Sequence, residues 1–194
     1  MIRYDDTPNG NSLKFHVIGL DLLEEGVSSY DFRSREEAQG VRLVEGLFAI
    51  EYVEGVLLIK DAVVVTKDGS IPWQYIRNDI ICCIENFLDS DDEVNVKLGA
   101  KDNNCADMMR SADDYSEGER EVVLEILRII DENIRPLLLG DGGDIIFIKY
   151  DAGDVYVKLQ GACHGCPSAT VTLKHGIQNM LRFYISDVKQ VIAV

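Results

Sequence analysis

The sequence predicts an α+β fold made of two small domains, and three observations lead to this prediction. Residues 1–88 alternate β-rich runs with stretches of helical periodicity, residues 89–116 lose that pattern, and residues 117–194 resume it in another order. The chain of 194 residues is 46% hydrophobic, which is enough apolar material for two separate cores.

The predicted N-terminal domain, residues 1–88, has the element order β-α-β-β-α. Apolar residues at helical spacing, among them Ala38 and Val41, predict its first helix. Two β-rich runs separated only by Lys60 and Asp61 indicate a tight hairpin. In chain order, we expect a strand over residues 12–18, a helix over 35–50, strands over 53–59 and 62–66, and a helix over 71–88.

Residues 89–116 have the composition of a linker. Asp, Glu, Asn and Ser dominate, apolar residues are isolated, and the stretch begins with the run Asp-Ser-Asp-Asp-Glu. Too little apolar surface is present to offset the entropy of ordering such a stretch. We therefore expect an acidic, flexible linker, which contains Cys105.

The predicted C-terminal domain, residues 117–194, has the element order α-β-β-α-β. Ser116 followed by Glu119 predicts a capping box at the start of its first helix, which should end before Pro136. Glycines within residues 140–144 predict a sharp turn. The remaining elements are expected to be strands over residues 145–150 and 155–159, a helix over 168–185 and a strand over 188–194.

A cysteine motif, Gly-Ala-Cys-His-Gly-Cys-Pro-Ser, occupies residues 161–168, between a predicted strand and a predicted helix. Pro167 suits the first helical position, because its ring presets φ and a backbone N–H would have no partner there. Cys166 then becomes the N-cap, and Cys163 lies just outside the helix. The positive end of the helix favours the thiolate, which is the form that binds metals or attacks disulfides.

Two thiolates in a C-x-x-C pair leave more than one function open. A thioredoxin-like dithiol oxidoreductase also places such a pair at a helix start, but that fold has a proline beyond the motif helix, and the last proline here is Pro167. Structural zinc and cluster iron each need four ligands. Two cysteines per chain therefore indicate half of a site, which a second copy of the chain would complete across a two-fold axis.

The motifs of the C-terminal domain are together similar to those of the NifU C-terminal (Nfu) domain. They are Ile134-Arg135-Pro136, Asp141-Gly142-Gly143-Asp144 and Gly161-Ala162-Cys163-x-x-Cys166-Pro167-Ser168, in the order and spacing of that family. Residues 1–88 resemble the Nfu N-terminal domain through Thr7-Pro8-Asn9-x-Asn11-Ser12-Leu13-Lys14-Phe15, Gly55-Val56, Val65-Thr66-Lys67 and Trp73. The sequence departs from the family at Gly10, where a second proline is usual, and at His164, where small residues are frequent.

The resemblance implies an iron–sulfur cluster assembly scaffold or carrier. A [4Fe–4S] cluster, or alternatively a [2Fe–2S] cluster, would bridge the two chains of a homodimer, with Cys163 and Cys166 as its iron ligands. The cluster would come from upstream cluster-assembly proteins and pass to apo iron–sulfur client proteins, which the N-terminal domain would recognise. The resemblance implies binding and transfer rather than an enzyme, and we assign no catalytic residue.

The other cysteines and histidines have simpler interpretations. Cys82 and Cys83 are adjacent on a predicted helix, so their side chains point about 100° apart. We expect one or both of them to pack in a core, because a free cysteine behaves as a small hydrophobic residue. The remaining expectations are an incidental exposed thiol at Cys105, a structural histidine at His16, and surface histidines at His164 and His175.

Charge and composition argue against several classes of partner. The net charge is −15 and no domain is basic, which disfavours nucleic-acid binding. No run approaches the length of a membrane span, and the first residues resemble neither a secretory signal nor an Arg-rich transit peptide. Five cysteines, an odd number, indicate a reducing compartment. We expect a bacterial cytoplasm, or the mitochondrial matrix for a processed organellar form, with no nucleic-acid or membrane partner.

Overall fold

The computed structural model describes residues 2–19, 21–90, 115–164 and 167–194. The chain divides into two compact units, residues 1–99 and 100–194. Each unit contains its own β-sheet and its own cluster of buried apolar residues.

The first unit is built on a five-stranded antiparallel sheet. The elements of the unit are β1 (Arg3–Asp6), β2 (Ser12–His16), β3 (Ser29–Phe32), α1 (Arg42–Ala49), β4 (Val53–Ile59), β5 (Ala62–Lys67), a short 3-10 helix (Trp73–Tyr75) and α2 (Arg77–Leu88). The strand order in the sheet is β1-β2-β5-β4-β3, with β2 and β4 on either side of the central β5.

Helices α1 and α2 bury their apolar stripes in one core with this sheet. The buried helical residues are Leu43, Val44, Leu47 and Phe48 of α1 and Ile80, Ile84 and Phe87 of α2. They join strand residues such as Phe15 and Val65 in the same cluster. Full burial of each Leu, Ile, Val or Phe side chain contributes about 1.5–3 kcal/mol, so this packing is the main source of stability in the unit.

The structure contains the predicted order of the first domain and adds two strands, β1 and β3. All four residues of β1 are exposed, so it lacks the apolar alternation by which a strand is recognised in a sequence. The first helix begins later than predicted, at Arg42, because residues 35–40 form turns and Gly40 has a φ of +85°. The second helix also begins later, at Arg77, after the 3-10 helix.

The second unit combines helices with a three-stranded sheet. Its elements are α3 (Glu117–Ile129), a π-helical turn (Ile130–Ile134), α4 (Arg135–Gly140), β6 (Gly143–Asp151), β7 (Asp154–Gly161), α5 (Pro167–Tyr184) and β8 (Gln190–Ala193). The sheet has the strand order β6-β7-β8, in which β6 and β7 form an antiparallel hairpin and β8 lies parallel to β7. The predicted order α-β-β-α-β is therefore confirmed.

The N-terminus of α3 is where the sequence predicted it, but its side-chain bonding differs. Ser116 is the N-cap with extended backbone angles (φ −60°, ψ 156°), and it makes no side-chain bond to a helix N–H. Its hydroxyl donates instead to a carboxylate oxygen of Glu119, over 2.5 Å. The N-cap position is therefore confirmed, but the predicted capping-box bond from the Ser116 side chain to a helix N–H is not formed.

The helical backbone continues beyond Pro136, contrary to the prediction that it ends there. Proline removes one backbone donor and clashes with the preceding turn of a regular α-helix. The chain meets this restriction with the π-helical turn Ile130–Ile134, after which Pro136 lies in the first turn of the new helix α4. The apolar face persists through the change, since Ile130 and Ile134 are both buried.

Candidate functional site

The cysteine motif begins in the connection between β7 and α5. Strand β7 ends at Gly161, whose φ is +59°, and the N–H groups of Cys163 and His164 donate to the carbonyls of Gln160 (3.2 Å) and Gly161 (3.1 Å). Helix α5 begins at Pro167, as the sequence predicted. The strand–loop–helix setting of the motif is therefore present.

Of the two expected ligands, the structure describes one. Cys163 is 8% exposed and packs with the apolar core of the second unit. Its neighbour His164 is exposed, as expected. Cys166 lies outside the described residues.

The start of β6 lies directly beside this loop. Gly143 is paired with Gly161 in the antiparallel register, and the N–H of Ala162 donates to the carbonyl of Gly142 over 2.9 Å. Gly142 has a φ of +78°, so the turn there requires the left-handed conformation that glycine adopts without strain. The glycine turn and the cysteine motif, which are separate in the sequence, are in contact in the fold.

A buried ion pair fixes the first residues of β6, and the sequence analysis did not predict this pair. Arg135 and Asp144 are only 6% and 1% exposed, and Arg135 Nε donates to Asp144 Oδ1 over 3.0 Å. The same oxygen accepts the N–H of Ile145 (2.7 Å), and Arg135 Nη2 donates to the Ile145 carbonyl (3.1 Å). Arg135 Nη1 additionally contacts Asp131. The guanidinium thus fixes the first residues of β6 against the helical segment.

The remaining described cysteines lie in the first unit. Cys83 is half-buried and packs against the core, which confirms that one of the adjacent pair is a core residue. Burial raises the pKa of the Cys83 thiol above its ordinary value. Cys82 is exposed, and both cysteines line an open groove of about 640 Å³ between α1 and α2. Cys105 lies outside the described residues.

The other histidines have the roles that the sequence suggested. His16 on β2 places Nε2 2.8 Å from Asp5 Oδ2 on β1, which is a cross-strand contact at the sheet edge. His175 is exposed on α5.

The motif residues of the N-terminal domain also come together. Lys67 is 4% exposed, its Nζ donates to Asn11 Oδ1 (3.3 Å), and it lies 5.3 Å from the centre of the Trp73 ring. Trp73 Nε1 donates to the backbone carbonyl of Gly10 over 3.0 Å. The acceptor of this hydrogen bond is a backbone carbonyl, which every residue has. The hydrogen bond therefore forms with glycine at position 10 in place of the usual proline.

The described ranges contain neither a metal cage nor a membrane-spanning helix. Within residues 2–19, 21–90, 115–164 and 167–194, no three His, Cys, Asp or Glu side chains converge on a point where they could hold a metal ion. No helix in the same ranges has the length and hydropathy needed to cross a bilayer.

Comparison with known families identifies the class of protein to which this domain pair corresponds. Residues 2–91 match the family described as scaffold protein Nfu/NifU N terminal, and residues 126–192 match the NifU-like domain. The chain belongs to the Nfu/NifU family and contains both of its domains in the expected order.

The chain is also similar to individual proteins. It is 39% identical over 191 residues to a Drosophila erecta protein named NFU1 iron-sulfur cluster scaffold homolog, mitochondrial, and 38% identical over 190 residues to its Drosophila persimilis counterpart. These alignments cover 98% of this chain but only 63% and 64% of the relatives. The solution structure of a NifU-like protein from Saccharomyces cerevisiae is 26% identical, with a TM-score of 0.45 over 50% of this chain and 86% of that one.

The buried ion pair makes a direct prediction about stability. Asp144→Asn removes the buried one of the two carboxylates that contact the Arg135 guanidinium and leaves the partly exposed Asp131, so we expect a loss of about 3 kcal/mol in the free energy of unfolding. Asp141→Asn, on the exposed side of the same turn, is the matched control and should change it by less than about 0.5 kcal/mol. Urea titration of both variants measures the difference, and equal midpoints would contradict the structural role of the pair.

Proposed function

We propose that this protein is an iron–sulfur cluster scaffold or carrier that holds a [4Fe–4S] cluster between two copies of the chain. Cys163 and Cys166 are the proposed iron ligands, and the cluster is cargo that is passed on. The observation that carries the proposal is the C-x-x-C motif between β7 and α5, inside a domain that matches the NifU-like family.

The chemistry of the loop supports cluster binding. Thiolates are the ligands that iron–sulfur clusters require, and the N-terminus of a helix stabilises them. Helix α5 starts one residue after Cys166 in the sequence, so its positive end faces the motif. Cys163 is enclosed by apolar side chains, which set the position of its thiol before any cargo arrives.

The number of ligands supports a shared site. A [4Fe–4S] cluster takes four thiolates, and the motif offers two. In a two-fold symmetric dimer the same two cysteines of the second copy complete the set. Such a cluster can leave when the two copies separate, which is the property a carrier needs.

We assign different tasks to the parts of the chain. In this proposal residues 117–194 hold the cluster, residues 1–88 recognise client apo-proteins and upstream assembly proteins, and residues 89–116 form an acidic linker. The separate sheets and cores of the two units support this division, because each unit has the packing of a domain that folds by itself.

A dithiol oxidoreductase that uses Cys163 and Cys166 is the alternative function, since the same strand–loop–helix setting suits redox chemistry. The compartment stays a prediction: the relatives are named mitochondrial, and we predict a bacterial cytoplasm or the mitochondrial matrix.

Anaerobic reconstitution with iron and sulfide tests the ligand assignment. The unaltered chain should bind about two irons and two sulfides per chain, as half of a [4Fe–4S] cluster requires. Cys163→Ala and Cys166→Ala should each abolish the thiolate-to-iron absorbance and the bound iron.

Two further cysteines provide matched controls for this experiment. Cys82→Ala and Cys105→Ala should bind iron like the unaltered protein. Cluster loss on substitution of Cys82 or Cys83 alone would overturn the assignment. A chain that binds no cluster but turns over disulfides rapidly would favour the oxidoreductase.

Deletion of residues 1–88 tests the recognition role. The remaining chain keeps the NifU-like domain and should bind the same amount of iron as the full chain. Cluster transfer to a panel of purified apo-proteins should slow for some recipients, because contacts made by the first domain are lost. Equal transfer rates for every recipient would show that the first domain does not select clients.

A further inference from the structure

We propose that Gly143 is a positioning residue for the Cys163 thiol, and that the absence of a side chain at this position sets where the sulfur lies. The inference rests on the proposed function only in giving the sulfur a role as cluster ligand. The geometry itself concerns the apo-protein.

The space around Gly143 is filled by the Cys163 side chain and a backbone carbonyl. A Cβ added there would lie 2.2 Å from Cys163 Sγ, 3.0 Å from Cys163 Cβ and 3.1 Å from the Gln160 carbonyl oxygen. Favourable contacts between non-bonded carbon atoms lie at about 3.5–4.0 Å, so the first of these distances is a direct overlap. The thiol of Cys163 occupies the volume that any other residue at position 143 would fill.

Backbone conformation is not the reason for glycine at this position. Gly142 has a φ of +78°, whereas Gly143 does not lie in the left-handed region. The φ angle of Gly143 is therefore open to alanine, and the severest restriction is the 2.2 Å overlap with the sulfur, ahead of the tight contacts with Cys163 Cβ and the Gln160 carbonyl. Of the two adjacent glycines, one is required by the turn and the other by the neighbouring thiol.

The backbone on both sides of the overlap is held in place. Gly143 is paired with Gly161, and the next residue, Asp144, is bound to Arg135. On the other side, the Cys163 N–H donates to the Gln160 carbonyl. A side chain at position 143 would therefore be accommodated mainly by displacement of the Cys163 side chain, which turns on a single torsion about its Cα–Cβ bond.

The position of the Cys163 sulfur should affect how tightly the chain retains iron, because metal ligands must be accurately placed. Residues that orient a ligand typically change metal affinity by about 10- to 100-fold when they are altered. We expect Gly143→Ala to weaken iron retention by about tenfold, while the fold and Cys166 are unchanged. Gly140→Ala is the matched control, because a Cβ at Gly140 meets no atom within 4 Å.

A local readout in the full-length apo-protein tests the position of the sulfur. Alkylation of each cysteine is followed by peptide mass spectrometry in the unaltered chain, Gly143→Ala and Gly140→Ala. Displacement from the apolar pocket should raise the alkylation rate of Cys163 several-fold in Gly143→Ala, with Cys82 unchanged as internal reference. Equal Cys163 rates in the two glycine variants would overturn the proposal.

A double-mutant cycle keeps the test decisive if Gly143→Ala folds poorly. Gly143→Ala should lower the urea midpoint strongly when Cys163 is present and much less when it is combined with Cys163→Ala, because the overlapping sulfur is then absent. An equal decrease of the urea midpoint with Cys163 present and with Cys163→Ala would overturn the proposal. These measurements use no cluster, so a chain that fails to bind iron but shows this coupling would refute the carrier function and leave the positioning role intact.

Discussion

The buried ion pair between Arg135 and Asp144 is the constraint on which the second unit depends. Its two residues are 6% and 1% exposed, and the carboxylate oxygen Oδ1 accepts hydrogen bonds from both Arg135 Nε and the Ile145 N–H. Buried charges are tolerated only when such bonds compensate their desolvation. The pair therefore fixes the first residues of β6, and through them the position of the strand beside the cysteine loop. If the first residues of β6 were flexible, the Cys163 thiol would have no fixed surface to pack against.

In the proposed function, rigid packing within one chain positions a ligand, and separation of the two chains releases the cluster. The apolar core of the second unit encloses Cys163, and Gly143 leaves the space that its sulfur fills. In the proposed function each chain therefore presents the Cys163 thiol, one of its two proposed ligands, in a fixed position, which lowers the cost of binding cargo. The other half of the ligand set is proposed to come from a second chain, so release requires separation of two folded chains rather than unfolding of either. A cluster enclosed by one chain would bind well and leave slowly.

Much of the fold could be predicted from the sequence, and the exceptions have physical causes. The hairpin β4–β5 and the strand–motif–helix order of the second unit follow from apolar patterning and from Pro167. Strand β1 escaped prediction because all its residues are exposed. The motif cysteines were evident from their spacing, although only Cys163 lies in the described part of the chain. Its contact with Gly143 depends on the register of β6 and β7, which local patterns do not define.

In the proposed function each chain supplies half of the iron ligands and a second copy supplies the rest. Native mass spectrometry of the anaerobically reconstituted, full-length protein tests it most directly, because one spectrum gives both the number of chains and the mass of the bound cluster. We expect a species of two chains with a single [4Fe–4S] cluster, which reverts to single chains when the cluster is removed or when Cys163→Ala is introduced. A one-chain species that carries a complete cluster would contradict it.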